Sequence, residues 1–148
     1  AKFHLTYIDS NGEEKTPVVL HRAILGSLDR FMAYLIEETM GAFPAWLAPV
    51  QVKLLTVTDR VDDYADQAAA KLEDLGFRVE SDLRNEKIGK KIREATLEKV
   101  PYMLVMGDRD VENGTVSVRT RGGEDLGAMS LDAFAAMLKE EVDSKVIK

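Results

Sequence analysis

Phe77-Arg78-Val79-Glu80-Ser81-Asp82-Leu83-Arg84-Asn85-Glu86-Lys87-Ile88-Gly89 runs from a short strand pattern through a polar turn into a helix. Beyond the turn, Ile88, Ile92 and Ala95 share one face at helical spacing. Asn85 stands where an N-cap would, so its side chain could accept an orphan N–H of the first turn. Gly89 would let another backbone or a ligand approach closely. Arg84, Lys87, Lys90, Lys91 and Arg93 surround this helix start. Open N–H groups, a positive dipole end and cationic side chains together favour a phosphate or an anionic backbone. A capped, solvated helix start gives the same pattern, and spacing alone favours that plainer reading.

Working outward, the same alternation of strand and helix recurs. Upstream, Gln51 to Val57 is apolar and β-branched, and Tyr64, Ala65, Ala68, Leu72 and Leu75 mark a helix closed by Gly76. Downstream, Tyr102 to Met106 reads as a buried strand. Asp108 to Gly114 reads as a turn leading back into Thr115 to Arg121, and Ser130 can cap a last helix carrying Leu131, Phe134, Ala135 and Leu138. The order β-α-β-α-β-β-α predicts a three-layer α/β domain with a mixed sheet. Ahead of it, Phe3, Leu5 and Tyr7 read as a strand, Asp9 to Gly12 as a hairpin turn, and Thr16 to His21 as the returning strand. A helix is expected over Ala23 to Glu38, ended by Gly41. Pro44 and Pro49 bracket a stiff connector, and the domain boundary is placed there. The tail from Lys145 to Lys148 is expected to fray.

The chain has 148 residues, 45% of them hydrophobic and 31% charged, enough for one ordinary core with a charged surface. No apolar run approaches the roughly 20 residues of a membrane-spanning helix, and no signal-peptide pattern opens the sequence. With no cysteine, disulfides, thiol catalysis and cysteine-ligated zinc are excluded within it, which fits a cytoplasmic protein. The net charge of −6 argues against a general nucleic-acid coat. Between Arg84 and Lys99, however, six Lys/Arg face three Glu, a local basic excess.

Catalytic chemistry is sparse. His21 lies at a strand-to-helix junction, and no acidic cluster stands at ligand spacing with it or with His4. Ser27 lacks nucleophile-elbow glycines. Asp62-Asp63 and Asp108 to Asp110 suit turns and helix starts as well as acid–base work. There is no phosphate-binding loop and no dinucleotide fingerprint.

Five ordered runs carry a resemblance. His21 to Phe31 resembles the third signature motif of class II aminoacyl-tRNA synthetases, and Trp46 to Val52 resembles the lead into their anticodon-binding domain. Asp82 to Lys91, Val100 to Asp108 and Val118 to Arg121 then follow in order. Together they resemble the bacterial threonyl-tRNA synthetase family, which attaches threonine to its tRNA with ATP. The resemblance implies an anticodon-binding domain over 49–148 with a mixed, mostly parallel five-stranded sheet. It is preceded over 1–48 by the last hairpin and long helix of an antiparallel class II catalytic sheet.

In that family His21 matches one of three zinc ligands, while Arg30 and Ser27 match positions in the ATP pocket. The other two ligands and the first two signature motifs are not in this sequence. No stand-alone catalysis is expected, nor any cofactor, although the family uses zinc and ATP with magnesium. Asn85, Lys87, Asp110 and Arg119 match positions that contact the anticodon, and Lys99 stands near a basic one. Asp110 replaces the usual glutamate and Lys99 the usual arginine, shortening one reach and losing bidentate geometry at the other. Arg119 is expected near Asp110 across a hairpin. The expected partner is the threonine tRNA anticodon stem-loop, without a membrane. The apolar edge of the N-terminal hairpin would suit a homodimer. The alternative is a truncated or redesigned fragment with no RNA-binding activity.

Overall fold

The computed structural model describes residues 4–147. Phe3, expected in the first strand, and Lys148, at the end of the tail, lie outside the described residues. The chain forms two compact units, one through Tyr34 and one from Leu35.

In the first unit, β1 (Tyr7–Ile8) pairs antiparallel with β2 (Glu14–Lys15). Asp9 Oδ1 accepts the N–H groups of Asn11 and Glu13 at 2.8 and 3.0 Å, an Asx-type turn that Gly12 completes at φ +79°. The Lys15 ammonium pairs with the same carboxylate and, ahead of those two N–H groups, holds it below the usual range. So tight a turn returns the chain at Glu14, not over Thr16 to His21, and Pro17 has no N–H with which to extend the ladder. Helix α1 (Leu28–Thr39) also begins later than the expected Ala23. Gly26 sits at φ +67°, and the Ser27 hydroxyl accepts the Arg30 N–H at 3.4 Å, so the helix starts at a serine cap. Leu5, Ile8, Val18, Leu20, Ile24 and Leu25 are all exposed.

In the second unit, Met40 and Gly41 end α1 with φ values of 50° and 76°. Then follow β3 (Val52–Thr56), α2 (Asp62–Asp74), β4 (Val79–Asp82), α3 (Ile88–Leu97), β5 (Tyr102–Met106), α4 (Asp108–Asn113), β6 (Thr115–Thr120), β7 (Asp125–Ser130) and α5 (Leu131–Ser144). The sheet order is β4-β3-β5-β6-β7. β3 is parallel to β4 and β5, while β6 is antiparallel to both its neighbours. Only β6 therefore runs against the others, and the sheet is mixed and mostly parallel, as expected. The residue pattern did not locate β7, because Asp125 and Gly127 are poor strand formers on an edge. The expected turn over Asp108 to Gly114 is helix α4, closed by Gly114 at φ +65°.

One face of the sheet (Val52, Leu54, Leu104, Val116, Val118) packs on Ala65, Ala68 and Leu72 of α2 and on Phe134, Ala135 and Leu138 of α5. The other face carries α3, with Ala95, Ile88 and Ile92 against Leu55, Met103 and Val105. These are the three layers the sequence predicts. Ser130 caps α5, its hydroxyl accepting the Ala133 N–H at 3.2 Å.

The connector after α1 is held by its carbonyls. Arg78 donates to Ala48 O at 2.8 Å and to Trp46 O at 3.1 Å, and Gln51 donates to Ala45 O at 2.8 Å. Irregular backbone that leaves solvent must find partners of this kind.

Candidate nucleic-acid interface

The turn between β4 and α3 is built around Asp82. This buried carboxylate accepts the Arg84 N–H at 3.2 Å, its Nε at 2.9 Å and its Nη2 at 2.6 Å. Nη2 also donates to Glu94 at 2.5 Å. Arg84 holds the Asp82 carboxyl below the usual range, partly offset by burial, and the Arg84 guanidinium is raised above its ordinary value by the same pairing. Lys90 pairs with Glu86 at 2.7 Å. Lys91 is not a surface cation. It is 1% exposed, and its ammonium donates to Thr56 O, Thr56 Oγ1 and Asp82 O at 3.0, 3.2 and 2.9 Å.

The basic excess read from the sequence is therefore mostly neutralised or internal. The Glu86–Lys90 spacing of four was the available signal. Among the described residues, Lys87 and Arg93 have no ion-pair partner, and the Asn85 side chain makes no hydrogen bond. Lys87, not Asn85, is the N-cap of α3, and no side chain caps that helix start. Among the described residues, a Cβ on Gly89 would meet nothing within 4 Å beyond its chain neighbours and its own helix backbone.

Across the sheet from β4, beyond β3 and β5, lies β6. Thr115, Ser117 and Arg119 of β6 alternate with the fully buried Val116 and Val118. Ser117 pairs with Val105 and Arg119 with Met103, so all three polar side chains lie on the α3 side of the sheet. Helix α3 packs on Leu55 of β3 and on Met103 and Val105 of β5, α4 contacts β6, and Thr115, Ser117 and Arg119 are half-buried. Ala128 and Ser130 of β7 lie next to Ser117 and Thr115, and both are exposed.

Asp110, in the first turn of α4, faces this surface. Its Oδ1 accepts the hydroxyls of Ser117 and Thr115 at 3.1 and 3.4 Å, and its Oδ2 accepts the Gly107 N–H at 3.0 Å. The ion-pair partner of Arg119 is Asp125 of β7, Nη2 to Oδ2 at 3.0 Å, and not the expected Asp110. Lys99 stands apart from Asp110, whereas Arg119, opposite Met103, lies toward the same end of β5 as Lys99. Lys99 lies just before β5, opposite the end that leads to Asp110, and its ammonium donates to Met40 O. The five residues of β5 separate the two ends by about 17 Å. The structure thus gathers Asn85 and Lys87 at the β4–α3 turn, and Asp110 and Arg119 around β6. Ser117 and Asp125 belong to this surface but carried no sequence signal.

His21 lies in the irregular segment between β2 and α1. Among the described residues no three His, Cys, Asp or Glu side chains are grouped to hold a metal ion, so no zinc site is assembled here. Ser27 serves as the α1 cap, and Arg30 is the third residue of that helix. No helix among the described residues is long and apolar enough to cross a membrane.

Residues 48–141 match the family described as Anticodon binding domain (HGTP_anticodon). A threonine–tRNA ligase of Saccharophagus degradans is 58% identical over 139 residues, 94% of this chain and 22% of that protein. The same ligase of Clostridium tetani is 52% identical over 99% of this chain and 23% of its own length. The chain thus spans about a fifth of the length of such relatives. The solved RNA binding domain of threonyl-tRNA synthetase from Cryptosporidium parvum Iowa II superposes with a TM-score of 0.76 at 34% identity, covering 93% of this chain and 35% of that one. With a family match over residues 48–141, the chain belongs to the anticodon binding domain family.

Proposed function

We propose that this chain reads the anticodon stem-loop of a threonine tRNA, using the β4–α3 turn and the polar face of β6 and β7. The observation that carries the reading is the half-buried polar face of β6, where Ser117 is bonded to Asp110 and Arg119 to Asp125, together with an uncapped helix start bearing Lys87. Unstacked loop bases are read by hydrogen bonds to their edges, while cations hold the backbone. Arg119 offers a donor fork suited to a guanine edge or a phosphate. Asn85 offers both a donor and an acceptor, and Asp110 keeps acceptor capacity beyond its internal bonds. Lys87 and the first N–H groups of α3 suit a phosphate. Lys99 is left out of this set because its ammonium is engaged by Met40 O and it lies at the far end of β5 from Asp110.

The finer assignments belong to the same proposal. Residues 49–148 form the RNA-reading domain, and residues 1–48 belong to a catalytic domain of a longer, cytoplasmic threonine–tRNA ligase. The exposed apolar side chains of the first unit support its association with further protein, a second copy being one occupant. The chain by itself needs no cofactor to read RNA. No observation favours the alternative of a fragment without RNA-binding activity.

Substituting Arg119→Ala tests the reading. The affinity for a threonine anticodon hairpin is expected to fall at least about tenfold. The melting temperature should hardly change, because the exposed Arg119–Asp125 pair contributes little to stability. Unchanged affinity would count against the proposed surface.

A further inference from the structure

Arg119 does not stand alone on the polar face of β6, and what holds it is itself held. Asp125 uses its two carboxylate oxygens for different tasks. Oδ1 accepts the Gly127 N–H at 2.9 Å, while Oδ2 accepts Arg119 Nη2 at 3.0 Å. The first bond closes a local turn of the Asp-x-Gly type, with Gly127 at φ +82°. The β6–β7 register shifts between Val118 and Arg119, so Val118 faces Gly127 and Arg119 faces Asp125, with Leu126 as the extra residue. A bulge of this kind bends the strand and re-aims a side chain. Here it brings a backbone-fixed carboxylate against one nitrogen of Arg119.

We infer that Asp125 is a positioning residue for base recognition, holding the Arg119 guanidinium by one N–H of Nη2 so that the remaining fork, which the second Nη2 N–H shares with a neighbouring nitrogen, points to a base edge. The inference rests on the anticodon-reading proposal and adds to it the source of its specificity. A long cationic side chain without a bracket settles on any phosphate within reach, which raises affinity without sequence preference. A bracketed guanidinium presents a donor fork in a set direction, and bidentate reading depends on direction. The bracket also withdraws one positive charge from the contest for phosphates. The pair is half exposed, with side-chain exposures of 39% and 52%, so its contribution to folding is small and specificity is where its loss should register.

The test compares the unsubstituted chain with Asp125→Ala, Arg119→Ala and the double variant. Each is titrated against a hairpin with a threonine anticodon and one with altered second and third anticodon bases, at several salt concentrations, with thermal melting in parallel. For Asp125→Ala, the preference between hairpins is expected to shrink about tenfold. Binding to the altered hairpin should hold or tighten, and the salt dependence should steepen by about one phosphate. Arg119→Ala should lose the preference, and the double variant should lose no more. An undiminished preference in Asp125→Ala would overturn the inference. So would a further loss of preference on adding Asp125→Ala to Arg119→Ala, since Asp125 would then act without Arg119. A lowered melting temperature with the preference intact would make the bracket merely structural. If the unsubstituted chain shows no preference, the anticodon reading itself fails and this inference falls with it.

Discussion

Lys91 and Tyr102 show how single polar groups hold this molecule from inside. The Lys91 ammonium ties Thr56, at the end of β3, to Asp82, at the end of β4. Lys91→Met keeps much of the stem but leaves those buried acceptors short of a donor, at a cost on the order of 2 kcal/mol in urea unfolding. A change below about 0.5 kcal/mol would show that water replaces the ammonium. Tyr102 donates to Glu141 at 2.6 Å, and burial first, then that bond, pushes its phenol well above the ordinary value. A raised folded value means the native state keeps its proton when the unfolded chain has lost it. This stabilisation is therefore present below about pH 10 and is lost as the pH rises beyond it. Unfolding curves followed into alkali should fall steeply for the parent chain and less so for Tyr102→Phe. Asp82 behaves in the opposite sense. Its lowered carboxyl value adds stability at neutral pH that drains away as the pH falls below about 4.

At the scale of elements, caps and clasps decide where structure begins and ends. Ser130→Ala, which removes the α5 cap, should cost about 1 kcal/mol by chemical denaturation. Arg78→Ala should release Trp46 O and Ala48 O, raising amide exchange across residues 42–49 well above that of β3. Equal protection in the variant would mean the connector is held by packing alone. The strands and helices of the second unit were legible because each carries its own period: Ile88, Ile92 and Ala95 for α3, and Tyr102 to Met106 for β5. The Ser130 cap was legible for the same local reason. What escaped was set by partners distant in sequence or by short turns. Strand β7 has little apolar pattern and exists through its ladder to β6. The start of α1 was fixed by Gly26 and Ser27 rather than by its apolar stripe. Lys91 looked like part of a basic surface because burial at a distant strand end leaves no trace in local spacing.

For the whole molecule, a net charge of −6 repels RNA at long range, so the proposed binding would rest on one local surface. Four of the matched positions, Asn85, Lys87, Asp110 and Arg119, are assigned to that surface. The resemblance could point to them by position, but only the sheet register puts Arg119 beside Asp125, and only the folded chain gives the Lys99 ammonium to Met40 O. Few phosphates can be engaged by so few unpaired cations, so the salt slope should be shallow, each phosphate adding about −0.7 on a single-stranded loop. The most direct test is a titration of the unsubstituted chain with a threonine anticodon hairpin and its base-altered counterpart across salt concentrations. A preference of at least about tenfold for the threonine hairpin is expected, with a slope reflecting two or three phosphates. Equal, weak binding to both hairpins, or none to either, would contradict it.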